Sequence, residues 1–166
     1  MLYGICALVA LLGLGLDQWL KHYVTVHIPL GEAQAFLPGV LELRTVHNYG
    51  AAWSSFSGMR WLLIGVTTVI VAILAWLLVK KIVRHPLGVL ACSMVLSGGV
   101  GNILDRIRLG YVVDMFHLEF WPSYPVFNVA DIFVVVGAVL GAIYYLWFYE
   151  KYDKKETTHG NDHSAA

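Results

Sequence analysis

Charge is scarce in this chain: Asp, Glu, Lys and Arg make up only 13% of its 166 residues, against 58% that are hydrophobic. With a mean hydropathy of +0.68, that ratio excludes a soluble globular protein and describes an integral membrane protein. An excess of either sign is also missing. Eleven basic and eleven acidic residues cancel, so the chain lacks the basic surplus of a nucleic-acid binder, and its partners are to be sought within the membrane. Cysteine is nearly absent. Cys6 and Cys92 lie inside apolar stretches, form no disulfide framework or metal-ligand spacing, and read as small buried residues with no activating neighbour. The seven histidines contain no HExxH pattern. His22, His27 and His47 share the outer region without paired spacing, so neither a metal nor a cofactor is expected. No internal repeat is evident.

Long apolar runs, in contrast, are abundant. Four stretches, about 2–20, 60–79, 86–104 and 129–149, approach the roughly 20 residues needed to cross a bilayer. The first has no positive n-region and leads into Asp17, Gln18 and Lys21 instead of a small-residue cleavage site, so it is expected to stay attached. Lys80, Lys81 and Arg84 fill the turn after the second run, and Lys151, Lys154 and Lys155 follow the fourth. Positive residues mark the cytoplasmic side, which puts both termini there and leaves 21–59 and 105–128 as outer loops. Trp19, Trp61 and Trp121 then fall at the outer interface, and Trp76, Trp147 and Tyr149 at the inner one. In the outer segment 26–47, Pro29, Gly31, Pro38 and Gly39 separate short runs, and the alternation over Val40–Val46 predicts a strand within a small sheet. The expected fold is an all-α membrane protein of four transmembrane helices, with a small extracytoplasmic β element and loop on the outer face. Residues 1–150 form one domain and 151–166 a disordered cytoplasmic tail too polar to pack.

Three carboxylates fall close together on the outer side: Asp105, Asp114 and Asp131. Ionisable groups at a bilayer are costly to hold, so such a cluster points to function. Asp105 is followed at once by Arg106, and its simplest role is a local ion pair or helix-end hydrogen bond. Asp131 fits the third position of a helix capped by Asn128, where a carboxylate suits the dipole; capping alone would account for it. Asp114 has no adjacent base and stands between Val112-Val113 and Met115-Phe116, where burial raises a carboxyl pKa. If Asp131 approaches it, the two share one proton, and one acid and one base stand ready for aspartic-protease chemistry without a metal.

These residues sit in a set of ordered motifs: Asp17-Gln18-Trp19-Leu20-Lys21, Asn48-Tyr49-Gly50-Ala51-Ala52-Trp53, Gly101-Asn102-Ile103-Leu104-Asp105-Arg106, Val112-Val113-Asp114 and Phe127-Asn128-Val129-Ala130-Asp131. Together, over nearly the whole chain, they resemble bacterial lipoprotein signal peptidases (signal peptidase II), intramembrane aspartic peptidases. The resemblance implies that Asp114 and Asp131 are the catalytic pair, and that Asn48, Gly50, Asn102, Asp105, Arg106 and Asn128 shape the site or bind substrate, with Asp17 and Lys21 grouped among them. It implies as substrate a prolipoprotein carrying diacylglyceryl on its lipobox cysteine, cleaved just before that cysteine. It also implies inhibition by globomycin and residence in the bacterial cytoplasmic (inner) membrane, with the active site near the outer leaflet. Trp53 departs from the Phe common in the family after the two alanines.

The residues read without the resemblance leave more open. Asp17 and Lys21 have acid-before-base spacing on a helix and suit a solvated pair. Asn48 and Asn102 can orient a substrate or satisfy a loop, and Arg106 can bind a phosphate or neutralise Asp105. Gly98, Gly99, Gly101 and the Gly137-x-x-x-Gly141 spacing allow close helix contact. Packing within one chain explains them without dimerisation, and a monomer is expected. A serine nucleophile at Ser97 with His117 lacks a glycine before the serine. The alternative from another class is a small proton-coupled transporter using Asp17, Asp105, Asp114 and Asp131, although no inverted repeat supports it; a passive membrane scaffold would be indifferent to losing either carboxyl group.

Overall fold

The computed structural model describes residues 1–51, 53 and 55–154. Four long helices are α1 (Leu2–His27), α2 (Arg60–Val79), α3 (Pro86–Arg108) and α4 (Val129–Trp147), and each is long and apolar enough to cross a membrane. A three-stranded antiparallel sheet, in the order β1 (Ala33–Leu37), β2 (Leu41–Asn48) and β3 (Val112–Leu118), covers one end of the bundle. A single turn, α5 (Tyr149–Tyr152), ends the described chain. This confirms the expected architecture of four helices with a small sheet.

Helix α3 packs against α1, α2 and α4 and is the centre of the bundle. Small residues permit this. A Cβ on Gly98 would lie 2.3 Å from the Ala130 carbonyl oxygen of α4, so that contact needs glycine. Gly137 of α4 lies against Ala91 and Val95 in the same interface, so the small residues serve packing within the chain. Helix α2 is different: none of its residues is buried, and its apolar faces suit lipid.

The helix ends follow local chemistry. Pro86 opens α3 after His85, whose ring accepts the Leu87 N–H. Asn128 and Asp131 form a reciprocal capping box at the start of α4. The sheet is fixed to α1 by Val24, Ile28, Leu43, Val113 and Met115, which form one buried cluster. Beside it the buried Thr45 hydroxyl donates to the Ile28 carbonyl just past the end of α1, and it also reaches the Val24 carbonyl, which already accepts the Ile28 N–H.

Several boundaries differ from those read in the sequence. Helix α1 runs seven residues past 20, to His27, and α3 runs four past 104, to Arg108. Asp17, Lys21 and Asp105 do not end the helices because they neutralise one another inside the bundle. Strand β3 arises in 105–128, where no strand was expected, because residues 112–115 are buried on both faces and show no alternation. At the other end, residues 151 and 152 belong to α5, and Asp153 is buried, accepting from the Tyr144 hydroxyl and the Arg84 N–H. This part of the expected tail is therefore packed; residues 155–166 lie outside the described residues.

Candidate active site

The start of α4 and the middle of β3 bring Asp131 and Asp114 to one site. Asp114 pairs across the sheet with Val46 and is 2% exposed. Asn128, at the N-cap of α4, touches both acids. Its Oδ1 accepts the Asp131 N–H at 2.8 Å, while its Nδ2 donates to Asp114 Oδ1 at 2.7 Å. Its own backbone N–H donates to Asp131 Oδ2 at 3.1 Å. The cap that starts the helix therefore also sets the two carboxyl groups relative to each other.

Two further asparagines complete the shell. Asn48, at the end of β2, donates from Nδ2 to Asp114 Oδ2 at 2.9 Å, and its Oδ1 accepts the Gly50 N–H, which fixes the amide's direction. Asn102, on α3, donates from Nδ2 to Asp131 Oδ1 at 2.9 Å. All four carboxyl oxygens thus accept one amide hydrogen each. Each oxygen keeps a further lone pair for water or substrate.

Burial pushes the Asp114 carboxyl up to about 7, and the neighbouring Asp131 charge adds to this; the Asn48 and Asn128 hydrogen bonds and the Lys21 charge oppose it. A group so placed exchanges protons near neutral pH. The two carboxyls interact and titrate as a pair.

Behind this pair lies a buried charge cluster. Lys21 Nζ is 2.8 Å from Asp17 Oδ2, 2.9 Å from Asp105 Oδ2 and 3.0 Å from Asn102 Oδ1, so its three hydrogens have three acceptors. Asp17 Oδ1 accepts the Ala130 N–H in the first turn of α4, and Asp105 Oδ2 accepts the Val113 N–H beside Asp114. The Asp17–Lys21 pair is not the solvated pair the spacing suits. Nor does Asp105 pair with its neighbour: its cation is Lys21 of α1, because adjacent residues on a helix do not face each other. Arg106 instead donates to the Gly50 carbonyl at 2.7 Å and holds the 48–51 turn against α3.

Gln18, in the first motif, also belongs to this cluster although it is not among the expected site residues. Its amide donates to Asp17 Oδ2, Asp105 Oδ1 and the Gly101 carbonyl. Its position beside Asp17 was the available signal. Other candidates are occupied elsewhere. Ser97 donates to the Ala10 carbonyl in the bundle, and His27 and His47 stack on Tyr23 and Tyr111. Among the described residues, no group of three His, Cys, Asp or Glu side chains could hold a metal.

Asp114 and Asp131 open onto a cavity of about 470 Å³. Asn48, Asn102 and Arg106 supply its polar wall, Leu63, Thr67 and Ile70 of α2 and Val134 of α4 its apolar wall, and Trp53 and Tyr124 also line it. Trp53 has φ 52°, the left-handed region that non-glycine residues rarely adopt, and its ring meets Tyr124 edge-on. An apolar chain with one polar segment fits such a wall. The paired acids can move protons at that segment.

A family model described as signal peptidase (SPase) II matches residues 9–148. The lipoprotein signal peptidase of Lactococcus lactis subsp. lactis is 39% identical over 132 residues, covering 80% of this chain and 87% of the relative. That of Enterococcus faecalis is 41% identical over 137 residues, covering 82% and 84%. A solved structure described as a bacterial membrane enzyme superposes with a TM-score of 0.81 at 28% identity, covering 86% of this chain and 88% of its own. None of these relatives supports the transporter alternative. The family match across most of the chain, the lipoprotein signal peptidase relatives and a bundle of four membrane-length helices converge on one conclusion: the chain belongs to the signal peptidase II family.

Proposed function

We propose that this chain is an aspartic endopeptidase that removes the signal peptide from diacylglyceryl-modified prolipoproteins, cutting just before the lipid-modified cysteine, with Asp114 and Asp131 as its catalytic pair. The observation that carries this reading is Asn128, which binds both carboxyls at the edge of a cavity with one apolar and one polar wall. Relatives named lipoprotein signal peptidase support the substrate class.

The pair holds one proton near neutral pH, as the raised Asp114 pKa favours. The ionised carboxylate takes a proton from water as the water oxygen attacks the peptide carbonyl, and the protonated partner gives its proton to the carbonyl oxygen. When the C–N bond breaks, the proton taken from water passes to the leaving amine. A hydroxyl of the tetrahedral carbon returns a proton to the other carboxylate, and the pair again holds one.

Asn48, Asn102 and Asn128 fix the carboxyl oxygens, while Gly50 and Arg106 shape the rim. Lys80, Lys81, Arg84 and Lys151 lie at the end opposite the sheet, which favours cytoplasmic termini and a site near the outer leaflet. Globomycin occupies the same cavity on this reading, and the enzyme works as a monomer.

The test is cleavage of a synthetic diacylglyceryl lipobox peptide and its unlipidated twin by purified protein and by Asp114→Asn and Asp131→Asn. Only the lipidated peptide should be cut, and each variant should lose at least ~10³-fold in kcat while remaining folded. A folded variant with more than a tenth of normal turnover would remove that aspartate from the chemistry.

A further inference from the structure

Lys21 is a buried cation that touches neither Asp114 nor Asp131 in any hydrogen bond, yet one acceptor separates it from the pair. Its ammonium donates to Asn102 Oδ1, and the same oxygen accepts Asn128 Nδ2 at 3.2 Å. With two donors on its oxygen, Asn102 has one favourable amide orientation. Its NH2 then faces Asp131 Oδ1. Turned by 180°, the amide would set its oxygen against the Asp131 carboxyl and its NH2 against Lys21 and Asn128, replacing three hydrogen bonds with three repulsive contacts.

We propose that Lys21 is a positioning residue for catalysis, holding Asn102 with its NH2 turned toward Asp131. This rests on the reading of Asp114 and Asp131 as the catalytic pair. Helix packing alone does not call for the third contact: Asp17 and Asp105 already neutralise Lys21 and tie α1 to α4 and β3. The bond to Asn102 is the one that reaches the reacting groups. The positive charges beside the pair are then Lys21 and Arg106, and the carboxylates around Lys21 are Asp17 of α1 and Asp105 of α3.

A double-mutant cycle with a pH profile tests this, with lipidated lipobox peptide as substrate and the full chain in lipid. Lys21→Met keeps the length of the side chain and removes charge and donors. It should lower kcat about 100-fold with KM within about threefold, and move the alkaline limb of the kcat/KM profile to higher pH, since a positive charge that favours ionised Asp114 is gone. In an Asn102→Ala background, the same substitution should cost less than about threefold, because the amide it orients is absent.

If the two losses simply multiply, or the pH limb stays in place, Lys21 only supports the fold and the proposal fails. Should Lys21→Met not fold, Lys21→Met/Asp105→Asn removes one of the carboxylates left unpaired and carries the same comparison with the same two outcomes. Asp131→Asn is assayed alongside. Activity in that variant would sink the dyad itself, whatever Lys21 does.

Discussion

At the scale of single residues, Asp114 carries a consequence for stability. Its folded pKa of about 7 stands above the ordinary 3.8, so between those values the folded chain binds a proton that the unfolded chain has released. Stability therefore falls as pH rises through this window, the reverse of the behaviour of a salt-bridged aspartate. Thermal unfolding in detergent should show a midpoint that declines from pH 5 to pH 8, and Asp114→Asn should flatten the decline, since asparagine does not titrate. An equal slope in both proteins would place the proton elsewhere. On the proposed reading of the pair, the same group would set the alkaline limb of activity, because loss of the shared proton would leave two carboxylates and no acid.

Between elements, the closeness of α3 and α4 decides where Asp131 stands. A Cβ on Gly98 would meet the Ala130 carbonyl at 2.3 Å and Val134 Cγ2 at 2.8 Å. Gly98→Ala must push α4 away beside the catalytic candidate, at a cost of about 1–3 kcal/mol. The expected result is a lower unfolding midpoint together with reduced kcat; a variant with unchanged midpoint would mean that the helices have slack.

Much of this was legible in the chain. Long apolar runs marked the spans, Val40–Val46 announced β2, and the flanking sequences of Asp114 and Asp131 drew attention to the pair. The partner of Asp105 was not legible. Lys21 stands far before Asp105 in the chain, on α1, and local reading offered Arg106 instead. Strand β3 escaped notice for a related reason: a strand covered on both faces has no period to detect, and its neighbour β2 is far away in sequence.

For the molecule as a whole, the polar contacts are distributed unevenly. The cluster around Lys21 and Asn102 joins α1, α3 and α4 to β3, with Asn48 bringing in β2. At the opposite end, the Tyr3 hydroxyl donates to the Val83 carbonyl, and Asp153 accepts from Tyr144 and Arg84. Among the described residues, helix α2 enters this scheme through Arg60, which donates to the Ile107 carbonyl. With none of its residues buried, α2 is judged mainly by the solvent it faces. Its sequence should accordingly drift, accepting exchanges among Leu, Ile, Val, Ala and Phe that keep it greasy, except where Leu63, Thr67, Ile70 and Val71 line the cavity. A saturation scan scored by lipoprotein processing should find α2 permissive and α3 strict. If both helices proved equally intolerant, lipid would not be the audience for which α2 is written.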